Sequence, residues 1–140
     1  RNKLENYVEL NDIDNVEFLG FIDEAKKIQL LANTTIYCSP AIYGESFGIV
    51  LLEAMAAGAV TVAGNNPGYT GVMKDTGAIS ITNVKDIDEF ARKLQLLMVD
   101  YELRKLWTSW SSEYVTQFNY ERIAELYLKV YKHAKKAHLK

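Results

Sequence analysis

The sequence predicts an α/β domain: a parallel sheet flanked by helices, with a wholly helical C-terminal end. Short β-rich runs closed by glycine or proline alternate with helical patterns between residues 16 and 81, the signature of strand–helix–strand units. From Asp86 onward apolar residues recur only at three- and four-residue spacing, the period of a helix. The 140 residues are 49% hydrophobic and 24% charged, as in ordinary globular domains. A chain of this size buries roughly 68% of its unfolded surface, enough for a core without metals or disulfides.

Each element has its own signal. Val16-Glu17-Phe18-Leu19-Gly20-Phe21 reads as the first strand. Asp23 is placed to cap a helix over 24–32, with Ala25, Ile28, Leu31 and Ala32 on one face. Residues 34–39 read as the second strand, stopped by Pro40, which has no N–H for a ladder. A loop with Tyr43-Gly44-Glu45 follows; Ser46 is placed to cap a helix over 47–57, and Gly58 to end it. Residues 60–63 form the third strand, 64–68 a turn, and 78–81 a short fourth strand. Helices then cover 86–99, 101–115 and 120–138, the last with Ile123, Leu126, Tyr127, Val130 and Tyr131 on one face. Four strands make a thin sheet, where about five or six are typical. With its polar start lacking methionine, the chain reads as one domain cut from something longer, without its first strands.

Composition narrows the function classes. Sixteen Lys+Arg against eighteen Asp+Glu give a net charge of −2, which leaves no basic excess for a nucleic-acid module. A membrane-spanning helix needs about 18 consecutive apolar residues, and no such run exists. Cys38 is alone, which excludes an internal disulfide and a cysteine zinc cluster, and in Ile36-Tyr37-Cys38 it reads as a small buried hydrophobe. Without a signal-peptide core near the start, a reduced, cytosolic setting is expected. No histidine pair has metal spacing, so no metal site is expected. The tail 129–140 carries five lysines and two histidines. It reads either as favourable charge at the end of a solvated helix or as a contact for an anionic membrane surface. Tyr43, Tyr69, Trp107 and Trp110 read as packing residues.

The chemistry concentrates between Glu45 and Gly58. Glu53 is the only ionisable group from Phe47 to Ala63, and a carboxylate on an otherwise apolar helix is costly unless hydrogen-bonded or facing a wet cleft. Glu45 and Glu53 therefore border one cavity at the helix start, or else Glu53 marks a solvent stripe and Glu45 is a loop carboxylate. Gly48 allows close approach to the backbone, and the first N–H groups of the helix have no intrahelical partners. Together they form an anion site at the C-terminal edge of a parallel sheet. No Lys or Arg occurs from Ile28 to Met73, so a diphosphate here needs cations from elsewhere. Gly44-Glu45-Ser46-Phe47-Gly48 also matches the nucleophile elbow G-x-S-x-G. Residues 40–43 separate it from the strand, and the only histidines, His133 and His138, sit far along the last helix, which argues against a hydrolase.

Ser39-Pro40 followed by Glu45-Ser-Phe-Gly-Ile-Val-Leu-Leu-Glu53-Ala-Met-Ala-Ala-Gly58 resembles the E-x7-E region of retaining glycosyltransferases of the GT-B fold, especially glycosyltransferase family 4. The upstream Val16-x-Phe-Leu-Gly20 and the Phe118-Asn-Tyr-Glu-Arg-Ile-Ala124 opening of the last helix agree with it. The resemblance implies a Rossmann-like sheet, the truncated C-terminal half of a GT-B enzyme, with a nucleotide-diphosphate-sugar donor site. By similarity Glu45 holds the donor sugar and supports the positive charge developing at its anomeric carbon. Glu53 accepts from the ribose hydroxyls; the N–H groups of Phe47, Gly48, Ile49 and Val50 bind sugar hydroxyls and phosphate oxygens; Phe21 and Ile22 touch the base. No cofactor or metal is implied. The implied partners are a sugar or lipid-linked acceptor and the parent's N-terminal domain. The implied setting is cytoplasmic and compatible with the inner membrane face.

Two departures stand out. No Arg–Lys pair matches the family's diphosphate clamp, and the acceptor domain with its catalytic histidine has no counterpart here. Where the family often shows Gly-Gly-x-Pro-Glu, this chain has Asn65-Asn66-Pro67-Gly68-Tyr69. Competing readings are a GT-B relative such as a nucleotide-sugar epimerase or a phosphorylase, and a non-catalytic binding or scaffold domain. The fragment alone is expected to be inactive.

Overall fold

The computed structural model describes residues 1–138, with side chains as far as Lys136. Three parallel strands form the sheet in the order β1-β2-β3: β1 is Ile36–Ser39, β2 Val60–Gly64 and β3 Ile81–Thr82. Ile36 pairs with Val60 and Ser39 with Ala63, while Ala63 pairs with Ile81. The helices are α1 (Asn2–Leu10), α2 (Glu24–Ala32), α3 (Ile49–Ala56), α4 (Pro67–Val72), α5 (Ile87–Val99), α6 (Tyr101–Tyr114) and α7 (Tyr120–His138). The fold is the predicted one, a parallel sheet flanked by helices with a helical end.

Side-chain caps start five of these helices. Asp23, Asn66, Asp86, Asp100 and Asn119 each accept from the N–H three residues on, at 2.7–3.0 Å, satisfying donors that have no intrahelical partner. The far end of α3 closes as a Schellman motif. Gly58, at φ +87, donates to Met55 O and Ala59 to Ala54 O, both at 3.0 Å, which is the role Gly58 was expected to play. The core centres on β2, buried along its whole length, with Leu51, Ala54 and Met55 of α3, Leu97 of α5 and Trp107 of α6 packed on it. An aromatic row runs outward from there: Trp107 edge-on to Trp110, Trp110 stacked on Tyr114, Tyr114 edge-on to Phe118, and Phe118 edge-on to Phe47. The Tyr114 hydroxyl donates to Val72 O at 2.8 Å, tying α6 to the end of α4.

Several sequence expectations are corrected. Residues 16–21 are not a strand: no backbone hydrogen bond involves 14–22 among the described residues, and β1 pairs only with β2. Alternation makes a segment eligible for a ladder, but a ladder needs a neighbour. The sheet therefore has three strands and not four. Residues 75–80 wind into a 3-10 helix, so the last strand is Ile81–Thr82 and not 78–81. The turn at 64–68 is the start of α4, with Asn66 as cap and Pro67 in the first turn. Helix α1, unforeseen, buries no residue. Cys38 is exposed and not buried, because β1 is an edge strand with one side open. Tyr43 is 79% exposed, so it is not a packing residue, whereas Tyr69 and Trp107 are. The basic tail is helical with Lys129, Lys132, Lys135 and Lys136 exposed; Leu139, Lys140 and the His138 side chain lie outside the described residues. Among the described residues no helix is long and apolar enough to cross a membrane.

Candidate functional site

The loop 40–48 leaves the C-terminal end of β1, and Asn66 follows the C-terminal end of β2, so both lie at the edge where parallel sheets receive ligands. The second segment braces the first. Asn66 donates from Nδ2 to Ala41 O at 2.9 Å while accepting from Tyr69 N. A Cβ on Gly64 would lie 2.5 Å from Ala41 O, and one on Gly68 would lie 2.5 Å from Glu45 O and 3.0 Å from Phe47 N. Only glycine fits this close against the loop backbone. The Tyr69 ring lies under Gly48, and its hydroxyl shares a 2.7 Å hydrogen bond with the Ser39 hydroxyl at the end of β1.

Helix α3 starts later than its sequence suggests. Its cap residue is Gly48, in the left-handed region at φ +99, with no side-chain cap; Ser46 does not cap it. The reason is packing: Gly48 turns left-handed against Tyr69, so the chain becomes helical only at Ile49. The N–H groups of Gly48, Ile49 and Val50 meet no protein acceptor among the described residues. They are free donors at the positive end of an eight-residue helix. Ile49 is 65% and Val50 37% exposed, leaving that end open.

Glu45 precedes this start on the loop, whereas Glu53, the fifth residue of α3, lines a cavity with Glu24, Lys27, Ile28, Leu31, Ala56 and Ala57 that Glu45 does not join. Glu45 is exposed on the loop, and its charge lies close enough to act on the Tyr69 phenol. Glu53 is half-exposed and not alone: Lys27 Nζ lies 3.1 Å from both of its carboxylate oxygens and 2.9 Å from Glu24 Oε1. Burial chiefly, with the nearby carboxylates adding, raises the Tyr37 and Tyr69 phenols above their usual 10.0, although the Ser39 hydroxyl opposes this. Glu53 adds to the rise at Tyr37, and Glu45 to the rise at Tyr69.

These phenols set an alkaline limit. A phenol whose folded pKa is raised contributes stability that is complete below the unfolded value and lost as pH rises through the folded one. Stability should therefore fall from about pH 10 upward. Tyr69→Phe should lose about 1 kcal/mol near neutrality through the Ser39 bond, yet show a shallower decline in alkali. Urea unfolding midpoints at pH 8, 10 and 11 read both effects.

The remaining candidates are placed as follows. Phe47 packs edge-on against Phe118 at 5.8 Å. Phe21 is 99% exposed, while Ile22 is half-buried. Ser46 does not have the positive φ of a strained elbow, and the G-x-S-x-G match is a coincidence of a glycine-rich loop. No group of three or more His, Cys, Asp or Glu is placed to hold a metal among the described residues. Sequence reasoning missed Lys27, Asn66 and the structural task of Tyr69. Lys27 was findable, because a lone carboxylate on an apolar helix calls for a cation and Lys27 stands one residue outside the stretch without any.

A parallel sheet flanked by helices, with a glycine-started helix at its C-terminal edge, is a Rossmann-like domain. The chain belongs to the glycosyl transferases group 1 family, whose model matches residues 1–112, and its sheet is that of the C-terminal domain of the GT-B fold. It is 35% identical over 117 residues to a phosphatidyl-myo-inositol mannosyltransferase of Mycolicibacterium smegmatis, covering 84% of this chain and 30% of that protein. To the enzyme of the same name from Mycobacterium leprae it is 33% identical over 119 residues, 85% of this chain and 32% of that one. To the O-antigen chain mannosyltransferase B of Escherichia coli it is 26% identical over 117 residues, 84% of this chain and 30% of that protein. The chain thus spans about a third of the length of the curated relatives it matches.

Proposed function

We propose that this domain is the donor-binding part of a retaining glycosyltransferase that moves a hexosyl group from a nucleotide-diphosphate sugar to a lipid-linked or polysaccharide acceptor. The observation that carries the reading is the start of α3, where a left-handed Gly48 leaves N–H donors free between Glu45 and Glu53. In this reading the diphosphate lies against the N–H groups of Gly48, Ile49 and Val50, and Phe47 N joins them on the sugar. Glu53 accepts from the ribose hydroxyls and Glu45 faces the anomeric carbon. Phe21 and Ile22 reach the base only if the 14–22 segment closes on the ligand. As the donor bond breaks, negative charge grows on the diphosphate and positive charge on the sugar. Fixed N–H dipoles stabilise the first and Glu45 the second, without a metal ion. The remaining phosphate cations and the acceptor site come from the rest of the parent chain. The names of the relatives support mannose as the sugar and a membrane lipid as the acceptor, in keeping with a cytoplasmic enzyme at the membrane face.

Calorimetric titration of the full-length protein with UDP, GDP and ADP tests the reading. One nucleotide should bind best, and Glu53→Ala should weaken it by about 1.5–3 kcal/mol, the worth of hydrogen bonds to a charged acceptor. No binding by a folded protein would leave a scaffold domain as the better description.

A further inference from the structure

Residues 65–69, where the chain departs from the family pattern, have a task in the structure. The buried side chain of Tyr69 spans the base of the 40–48 loop. Its hydroxyl lies 2.7 Å from Ser39 Oγ, at the end of β1 where the loop begins. Its ring lies against Gly48, where the loop ends: a Cβ there would sit 2.7 Å from Cδ1 and 2.9 Å from Cε1. One side chain thus meets both ends of the loop. The main chain of Tyr69 is held as well. Its N–H donates to Asn66 Oδ1 at 3.0 Å, and its carbonyl accepts from Met73 N at 2.8 Å.

Ring and hydroxyl have separate roles. The ring, with Leu51 Cδ1 beside it, fills the side of Gly48 on which a side chain would stand. Gly48 passes over this floor at φ +99 and ψ +51. A planar peptide leaves those two angles as the only soft ones, so they set where the N–H of Ile49 points and how α3 begins. Glycine carries no Cβ to restrict it; what holds these angles must come from a neighbour. A flexible or smaller side chain at position 69 removes the floor and frees Gly48 to turn. Hydrogen bonds weaken steeply as a donor swings off its acceptor, so donors that can turn hold an anion less well. The hydroxyl adds a tether to β1, but the buried ring keeps its place by packing.

We propose that Tyr69 is a positioning residue of the donor site: its ring sets the conformation of Gly48 and so aims the N–H groups of Ile49 and Val50 at the diphosphate. The proposal rests on the donor-site reading above and adds to it a buried residue of α4. Tyr69 touches no substrate in this scheme. It acts on phosphate recognition only through Gly48.

The test is the preference of the full-length protein for a nucleoside diphosphate over the monophosphate of the same base, measured by calorimetry with UDP and UMP, GDP and GMP, and ADP and AMP. The wild type should prefer the diphosphate by roughly tenfold or more. Tyr69→Leu should lower that ratio by roughly threefold to tenfold, while the monophosphate affinity changes less. Tyr69→Phe keeps the ring and loses only the Ser39 bond, so it should hold the ratio within about twofold of the wild type. Tyr69→Met, which fills the space with a flexible chain, takes the place of Tyr69→Leu if that variant does not fold, and the same fall is expected of it. If the variant without a ring weakens both nucleotides equally, Tyr69 serves folding alone and the proposal is wrong. It is equally wrong if that variant leaves the ratio untouched, or if Tyr69→Phe lowers it as far; the donor-site reading then survives. A wild type that binds no nucleotide, or does not distinguish diphosphate from monophosphate, overturns both.

Discussion

Replacing Gly48 with alanine is expected to destabilise the domain by about 2–4 kcal/mol and to abolish nucleotide binding. Two costs combine. The residue holds φ +99, a conformation that costs a side-chain-bearing residue about 1–3 kcal/mol. An added Cβ would also lie 2.7 Å from Tyr69 Cδ1, well inside van der Waals contact. Tyr69 cannot withdraw freely, because its hydroxyl is held by Ser39 and its backbone N–H by Asn66. Relief must come from Gly48, and any return to ordinary φ swings the N–H groups of Ile49 and Val50 away from their present direction. A melting temperature lower by several degrees, with no heat on nucleotide addition, is the expected result. Ser46→Ala serves as the control: that side chain makes no capping bond and should leave both quantities within error.

The second large effect is on turnover. Glu45→Gln in the full-length protein should lower kcat by about 10²–10³-fold, the usual cost of losing one fixed electrostatic stabiliser, while nucleotide affinity changes only a few-fold. Glutamine keeps the size of the side chain and removes its charge. If the carboxylate acts on positive charge that develops only as the donor bond breaks, the loss belongs to the transition state and not to binding. Steady-state kinetics beside calorimetry separate the two. An equal loss in affinity and in kcat/KM would make Glu45 a ground-state sugar contact instead.

Much of this architecture is legible in the residues because local signals and packing agree. Asp23 reads as a cap and is one, Gly58 reads as a helix end and closes a Schellman motif, and α5 and α6 follow their apolar spacing to within a residue. What stayed hidden depended on partners. The 16–21 run has strand composition but no strand beside it. Helix α1 carries a short apolar stripe, Leu4, Tyr7 and Val8, at helical spacing, but buries no residue. Asn66 and Pro67 carried both a turn meaning and a helix-start meaning, and only the acceptor role of Asn66 toward Tyr69 N decides between them. At the site, the residues placed Glu45 on the loop before α3 and Glu53 within the helix. The late start of α3 was not legible, because it is imposed by a tyrosine 21 residues further on.

The bracing of the 40–48 loop has a consequence for how such a site can change. Asn66, Gly64 and Gly68 meet the loop at Ala41 O, Glu45 O and Phe47 N, all main-chain atoms. The side chains of Ile42, Tyr43, Glu45 and Ser46 are exposed. Shape is thus stored in one set of atoms and chemical character in another. Exchanging the exposed side chains alters what the loop can recognise without disturbing what holds it in place, so a lineage can try new ligands here one residue at a time and keep a folded protein at every step.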